Sequence, residues 1–109
     1  MTINAQSHGA IDILNLRGRF DAHMAPELKN WQDTTTERNH VVVNLAGVTF
    51  IDSSALAMLV RGLKRCRQQG GDVHLCAMQP PVRIIFELTK LDKAFKIFTT
   101  EQEAIAAFR

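Results

Sequence analysis

The sequence predicts a single α/β domain over residues 1–109, built on a mixed sheet of about five strands with about four helices packed on it. Three observations carry this reading. The apolar residues switch between the two-residue period of strands and the 3.6-residue period of helices. Val41-Val42-Val43 with Leu45 is a nearly continuous apolar run, as expected of a strand covered on both faces. Strand, helix and strand follow one another between residues 41 and 76, the length of a βαβ unit. Such a unit makes its two strands parallel, with a right-handed crossover.

Taken in order, residues 10–16 alternate through Ile11, Ile13, Leu14 and Leu16 and stop at Gly18, a strand near a sheet edge that pairs with a short strand around Ile3. Pro26 suits the first turn of a helix, where its missing N–H has no partner to lose. From it Leu28, Trp31, Gln32 and Thr35 mark one face, with Trp31 as core. After the valine run a loop through Gly47 leads to Asp52-Ser53-Ser54 and a long helix to about Gln69. Gly70-Gly71 supplies its left-handed end. Residues 73–76 form the next strand, and Pro80-Pro81 opens a helix carrying Val82, Ile85, Phe86 and Leu88. A last strand over 95–98 precedes Thr100-x-x-Glu103, a capping box that introduces a final helix with Ile105 and Phe108 inward.

Composition excludes several classes of function. The chain has 109 residues, enough to bury roughly two-thirds of its unfolded surface without staples. Thirteen basic and eleven acidic residues leave a net charge of +2, so direct nucleic-acid binding is not expected. The first six residues have no basic and no apolar segment of the secretory kind, and no apolar run reaches the ~20 residues of a membrane span. A cytoplasmic domain that does not engage membranes is the expectation. Cys66 and Cys76 are too few for a zinc site and lie at different levels of the βαβ unit, so they read as buried thiols rather than a disulfide. The histidines His8, His23, His40 and His74 lack metal-ligand spacing, and no cofactor is implied.

The helix after Asp52 places Leu56, Leu59, Val60 and Leu63 on one side, with Cys66 at the flank. The outward set is then Ser54, Ala57, Met58, Arg61, Lys64, Arg65 and Gln68. Its basic residues gather in the C-terminal half, where positive charge complements the helix dipole. Met58 is the anomaly, an adaptable apolar side chain among polar neighbours. Asp52, Ser53 and Ser54 occupy the N-cap region, where one such residue suffices for capping. A helix start also accepts a phosphate readily, so Ser53 stands as a candidate modification site. No Gly-x-Ser-x-Gly elbow accompanies these serines, and an enzyme is not expected.

Together these residues resemble a STAS domain of the bacterial anti-sigma-factor antagonist type over essentially the whole chain. The strongest segment runs over 41–71, with Val-Val-Val-Asn-Leu, then Val-Thr-Phe-Ile-Asp-Ser-Ser-Ala-Leu, a long helix and Gly-Gly. Gly18-Arg19-Phe20-Asp21, with Ala25 and Leu28, is similar to the family's Gly-x-Leu-Asp turn and first helix. The resemblance implies that Ser53, directly after the aspartate, is the phosphoacceptor in a partner-switching circuit. The unphosphorylated protein would bind an anti-sigma factor that is also a GHKL-type serine kinase, and a PP2C-type phosphatase would reset it. Asp21, Asp52, Ser53, Ser54, Ala57, Met58 and Arg61 form the expected partner surface, and a weak homodimer is compatible with it. Ala55 and Ala57 depart from the family's glycines, which alters the fit of a kinase. The same resemblance allows a second role, as a module of a transporter, lipid-transport or stress-signalling complex that is never phosphorylated.

Overall fold

A two-residue turn joins the first two strands, β1 (Thr2–His8) and β2 (Ile11–Phe20), into an antiparallel hairpin. Gly9 makes the turn possible by adopting a φ of +64°. In this computed structural model, which describes residues 2–34 and 39–108, the order continues with α1 (Ala25–Thr34), β3 (His40–Ile51), α2 (Ser53–Gln68) and β4 (Asp72–Cys76). α3 (Pro80–Leu88), a single 3-10 turn at Leu91–Lys93, β5 (Lys96–Phe98) and α4 (Glu101–Ala106) complete it. The strands lie side by side in sequence order, β1-β2-β3-β4-β5. Only the β1–β2 pair is antiparallel, so the sheet is mixed as the sequence predicts.

The valine run shows why it had to be apolar throughout. Val41 and Val43 enter the large core between the sheet and α1, α2 and α3, while Val42 packs with Ile11, Ile13, Cys76 and Ala104 under α4. Alternate residues of one strand thus serve both faces. Trp31 is half-buried against the larger core. The expected partner of its face, Thr35, lies outside the described residues. Cys66 and Cys76 are both buried free thiols, and burial pushes Cys76 up to about 12. Ile105 and Phe108 are half-buried, and the Phe108 ring stacks on His74 at 3.7 Å.

The caps follow the sequence signals. Thr100 Oγ1 accepts the Glu103 N–H at 3.2 Å and donates to its carboxylate at 3.0 Å. At the end of α2 the Gly71 N–H reaches the Cys66 carbonyl at 2.8 Å and the Gly70 N–H reaches Arg67 at 3.1 Å, with Gly70 at φ +84°. This is the Schellman closure that the Gly-Gly pair suggests.

Two strand boundaries differ from expectation. β2 does not stop before Gly18 but continues to Phe20, because the register shifts on either side of Gly18, which takes φ +96°. β3 does not become a loop at Gly47 but runs to Ile51 beside it. Gly47 sits so close to β2 that a Cβ there would lie 3.1 Å from the Leu16 carbonyl oxygen. The glycine marks a close approach of two backbones, not a turn. The consequence is functional, since both strands end together and deliver the segments at 21 and 52 to one place.

Candidate functional site

Phe20 and Ile51 are the last paired residues of β2 and β3, and the Asp52 N–H donates to the Phe20 carbonyl at 3.2 Å. The chain leaves each strand at that point, into α1 on one side and α2 on the other. Asp52 is the N-cap of α2 in extended conformation, and its carbonyl accepts the Leu56 N–H at 3.0 Å. Its carboxylate does two things. Oδ1 accepts the Ala55 N–H at 3.0 Å, and Oδ2 accepts the Ala22 N–H at 3.2 Å. One side chain therefore caps the helix and holds the neighbouring turn.

Asp21 organises that turn from within. Its Oδ1 accepts the His23 N–H at 3.0 Å, and its carbonyl accepts from Met24 and Ala25. Arg19 pairs with the Asp21 carboxylate at 3.8 Å while its guanidinium lies 4.0 Å from the centre of the Phe50 ring. Phe50 is one of three exposed large apolar side chains among the described residues. No local sequence pattern marks this pair. Its only signal is that Arg19 and Phe50 each precede a last strand residue, and that signal needs the strand register to be read.

Ser53 is exposed at the first position of α2, and Ser54 is half-buried behind it. With Asp52 as the cap, the Ser53 hydroxyl is not required for capping. Ala55 is completely buried and belongs to the core, whereas Ala57 is exposed. Of the two alanines, only Ala57 presents its methyl group at the surface. The structure thus brings Asp21, Asp52, Ser53 and Ser54 together at one end of the sheet.

The lower part of the expected surface is different. Met58 is half-buried against the core, so its placement among the freely outward residues is corrected. Arg61 and Arg65 are likewise half-buried and engaged with α1. Arg61 donates to Gln32 Oε1 at 2.8 Å and to Asp33 Oδ1 at 2.6 Å, and Gln32 Nε2 donates to the Met58 carbonyl at 3.1 Å. The Arg61 hydrogen bond holds the Asp33 carboxyl below the usual carboxylate range. α1 covers this flank of α2, an event that the period of α2 alone cannot announce. Gly62 makes room for it, since a Cβ there would lie 2.7 Å from Gln32 Nε2.

The geometry is that of an exposed hydroxyl on a capped helix start. Among the described residues, no three His, Cys, Asp or Glu side chains gather in a way that could hold a metal ion. No helix among them is long and apolar enough to cross a membrane.

A family model described as the STAS domain matches residues 2–104. The chain belongs to the STAS domain family. This STAS domain is similar to an anti-sigma F factor antagonist of Paenibacillus polymyxa, 28% identical over 108 residues, covering 96% of this chain and 92% of that protein. It is 32% identical over 109 residues to the anti-sigma-F factor antagonist RsfA of Mycobacterium tuberculosis, covering 94% of this chain and 83% of that one. Among solved structures, an anti-sigma factor antagonist from Mycobacterium paratuberculosis superposes with a TM-score of 0.88 at 25% identity, covering 99% of this chain and 93% of that chain. The superposition shows that this five-stranded sheet with its helices matches the fold of that antagonist structure.

Proposed function

We propose that this STAS domain is an anti-sigma-factor antagonist that works by partner switching, with Ser53 as the phosphorylation site. The observation that carries the reading is the division of labour at the start of α2: Asp52 supplies the cap, and Ser53 stays exposed beside the Asp21 turn. In the unphosphorylated state the surface around Asp21, Asp52, Ser53, Ser54 and Ala57 binds an anti-sigma factor that is also a serine kinase. Met58 and Arg61 support that surface from below by locking α2 to α1. Phosphorylation places about −1.5 to −2 charges at the contact, and docking would have to desolvate them. A PP2C-type phosphatase restores the binding form. The protein is a ligand and a substrate in this scheme, acts in the cytoplasm and catalyses nothing.

The names carried by its relatives support this reading. So does the fit of a phosphate to a helix N-terminus, where free N–H groups and the dipole favour negative charge. The test is incubation with the cognate kinase and Mg-ATP, followed by peptide mass spectrometry. One phosphate on Ser53 is expected, absent in Ser53→Ala and present in Ser54→Ala. Phosphate on Ser54 alone moves the site, and no phosphate at all removes the switch.

A further inference from the structure

β1 is an edge strand, and among the described residues it pairs with β2 alone. Natural sheets blunt such edges with lysine, proline, bulges or a covering segment. β1 has none of the first three: residues 2–7 carry no charge and no proline, and its register against β2 is unbroken over seven residues. Residues 4–8 are exposed. We propose that this edge joins the same edge of a second copy of the chain, forming one continuous antiparallel sheet across a two-fold axis at Ala5.

The hydrogen-bonding parity selects that register. His8 and Ile11 flank the two-residue turn, so they exchange N–H···O=C bonds with each other. Counting back in twos, Gln6 and Asn4 also turn their backbone groups toward β2. Ile3, Ala5 and Ser7 then turn theirs to the open edge. An antiparallel copy centred on Ala5 sets Ile3 against Ser7, Ala5 against Ala5 and Ser7 against Ile3. All three outward residues find partners of the same parity, which is the self-complementarity that a two-fold contact requires.

The side chains agree with it. Ala5 is small where it would meet its own copy on the axis. On the opposite face Asn4 would stand across from Gln6 of the second copy, and two amides can donate and accept in turn. Asn4 and Gln6 already line a polar cleft with Asn15, Arg17, Asn44 and Glu101. Pairing would join the two clefts across the axis. The edge shares no residue with the proposed partner surface, so its outcome is independent of that reading. A strand-sized contact lies at the small end of interface areas, and a concentration-dependent dimer is expected.

Sedimentation equilibrium of the full chain from micromolar to millimolar concentration reads this directly, together with amide hydrogen exchange. Association should slow exchange at Ile3, Ala5 and Ser7, while Asn4 and Gln6 are protected already in the monomer. Ala5→Lys and Ala5→Glu set like charges against each other on the axis and should each stay monomeric with unchanged circular dichroism. Their equimolar mixture should dimerise again. A wild type that stays monomeric throughout, association without new protection at those three amides, or an Ala5→Lys protein that dimerises like the wild type would each overturn the proposal.

Discussion

Asp52 and Ala22 are thirty positions apart, yet the Asp52 carboxylate accepts the Ala22 N–H at 3.2 Å. The same carboxylate caps α2 through Ala55 at 3.0 Å. A single residue therefore fixes the distance between the turn that carries Asp21 and the helix that presents Ser53. The surface proposed for the partner is rigid because this side chain uses both of its oxygens at once.

Stability should register both bonds. Loss of an N-cap costs ~1 kcal/mol and loss of a further hydrogen bond ~0.5–1.5 kcal/mol. Asp52→Ala should therefore lower unfolding stability by about 1.5–2.5 kcal/mol by these figures, and Asp52→Asn, which keeps one acceptor oxygen, by roughly half as much. Urea titration of the two variants measures this. Equal losses in both would mean that one of the two bonds contributes nothing.

Binding should respond to charge at Ser53 and to bulk at Ala57. If Ser53→Asp costs about 3 kcal/mol of docking energy, affinity falls by more than a hundredfold. Ala57→Asp tests the same surface one turn further along and should weaken binding while costing no more than the ~0.7 kcal/mol of lost helix propensity, since Ala57 is exposed. Met58→Asp is a poorer probe, because its half-buried side chain packs on the core and the substitution would destabilise the domain as well. Calorimetric titration of each variant against the anti-sigma factor reads the effect. Wild-type affinity in both Ser53→Asp and Ala57→Asp would place the interface elsewhere.

Gly62 offers a test of the clamp between α1 and α2. Alanine is the better helix former by ~1 kcal/mol, so Gly62→Ala would stabilise an isolated helix. Here its methyl group would displace Gln32, which is buried and bonded to both Met58 and Arg61. Leaving such groups without partners costs ~1–3 kcal/mol, which offsets or exceeds the propensity gain. A net loss of up to about 2 kcal/mol is expected from these two figures. A melting temperature above that of the wild type would show that the clamp is weak.

The pH dependence centres on His74, which is 1% exposed. Burial holds its pKa below the ordinary value of 6.5, against the pull of the Ala104 carbonyl bonded to Nδ1 and of Asp72, whose carboxylate lies 3.7 Å from Nε2. Lys96 and His40 act in the same direction as burial. A folded pKa below the unfolded one means that the unfolded chain binds the proton more readily. Stability from the neutral ring is then complete above about 6.5 and falls as pH drops below it, through the folded pKa. Stability curves measured from pH 7.5 to pH 5, a window of about one unit or more on either side of 6.5, should show this decline in the wild type. His74→Gln should flatten it. A slope that survives the substitution would assign it to another group.

The sequence by itself determined the class of fold, the βαβ unit, the Gly-Gly end of α2 and the capping box of α4, while the choice of Asp52 among the three cap candidates came from the structure. Each of the former is written in residues that lie within a few positions of one another. A period or a cap is a local energetic preference, and the final structure keeps it because no distant contact opposes it. Asp52-Ser53-Ser54 was legible for the same reason, whereas Asp21 entered the expected surface through the family resemblance. The tertiary structure alone decided the rest. Gly47 carries β3 onward because it sits against the backbone of β2, and Gly18 carries β2 onward by taking φ +96° beside the register shifts, neither of which a local pattern encodes. Met58 and Arg61 read as outward on their own helix and are held by Gln32 and Asp33, 26 to 29 positions away. Periodicity tells which face of a helix meets the sheet; which flank a second helix then covers depends on where the rest of the chain has already packed.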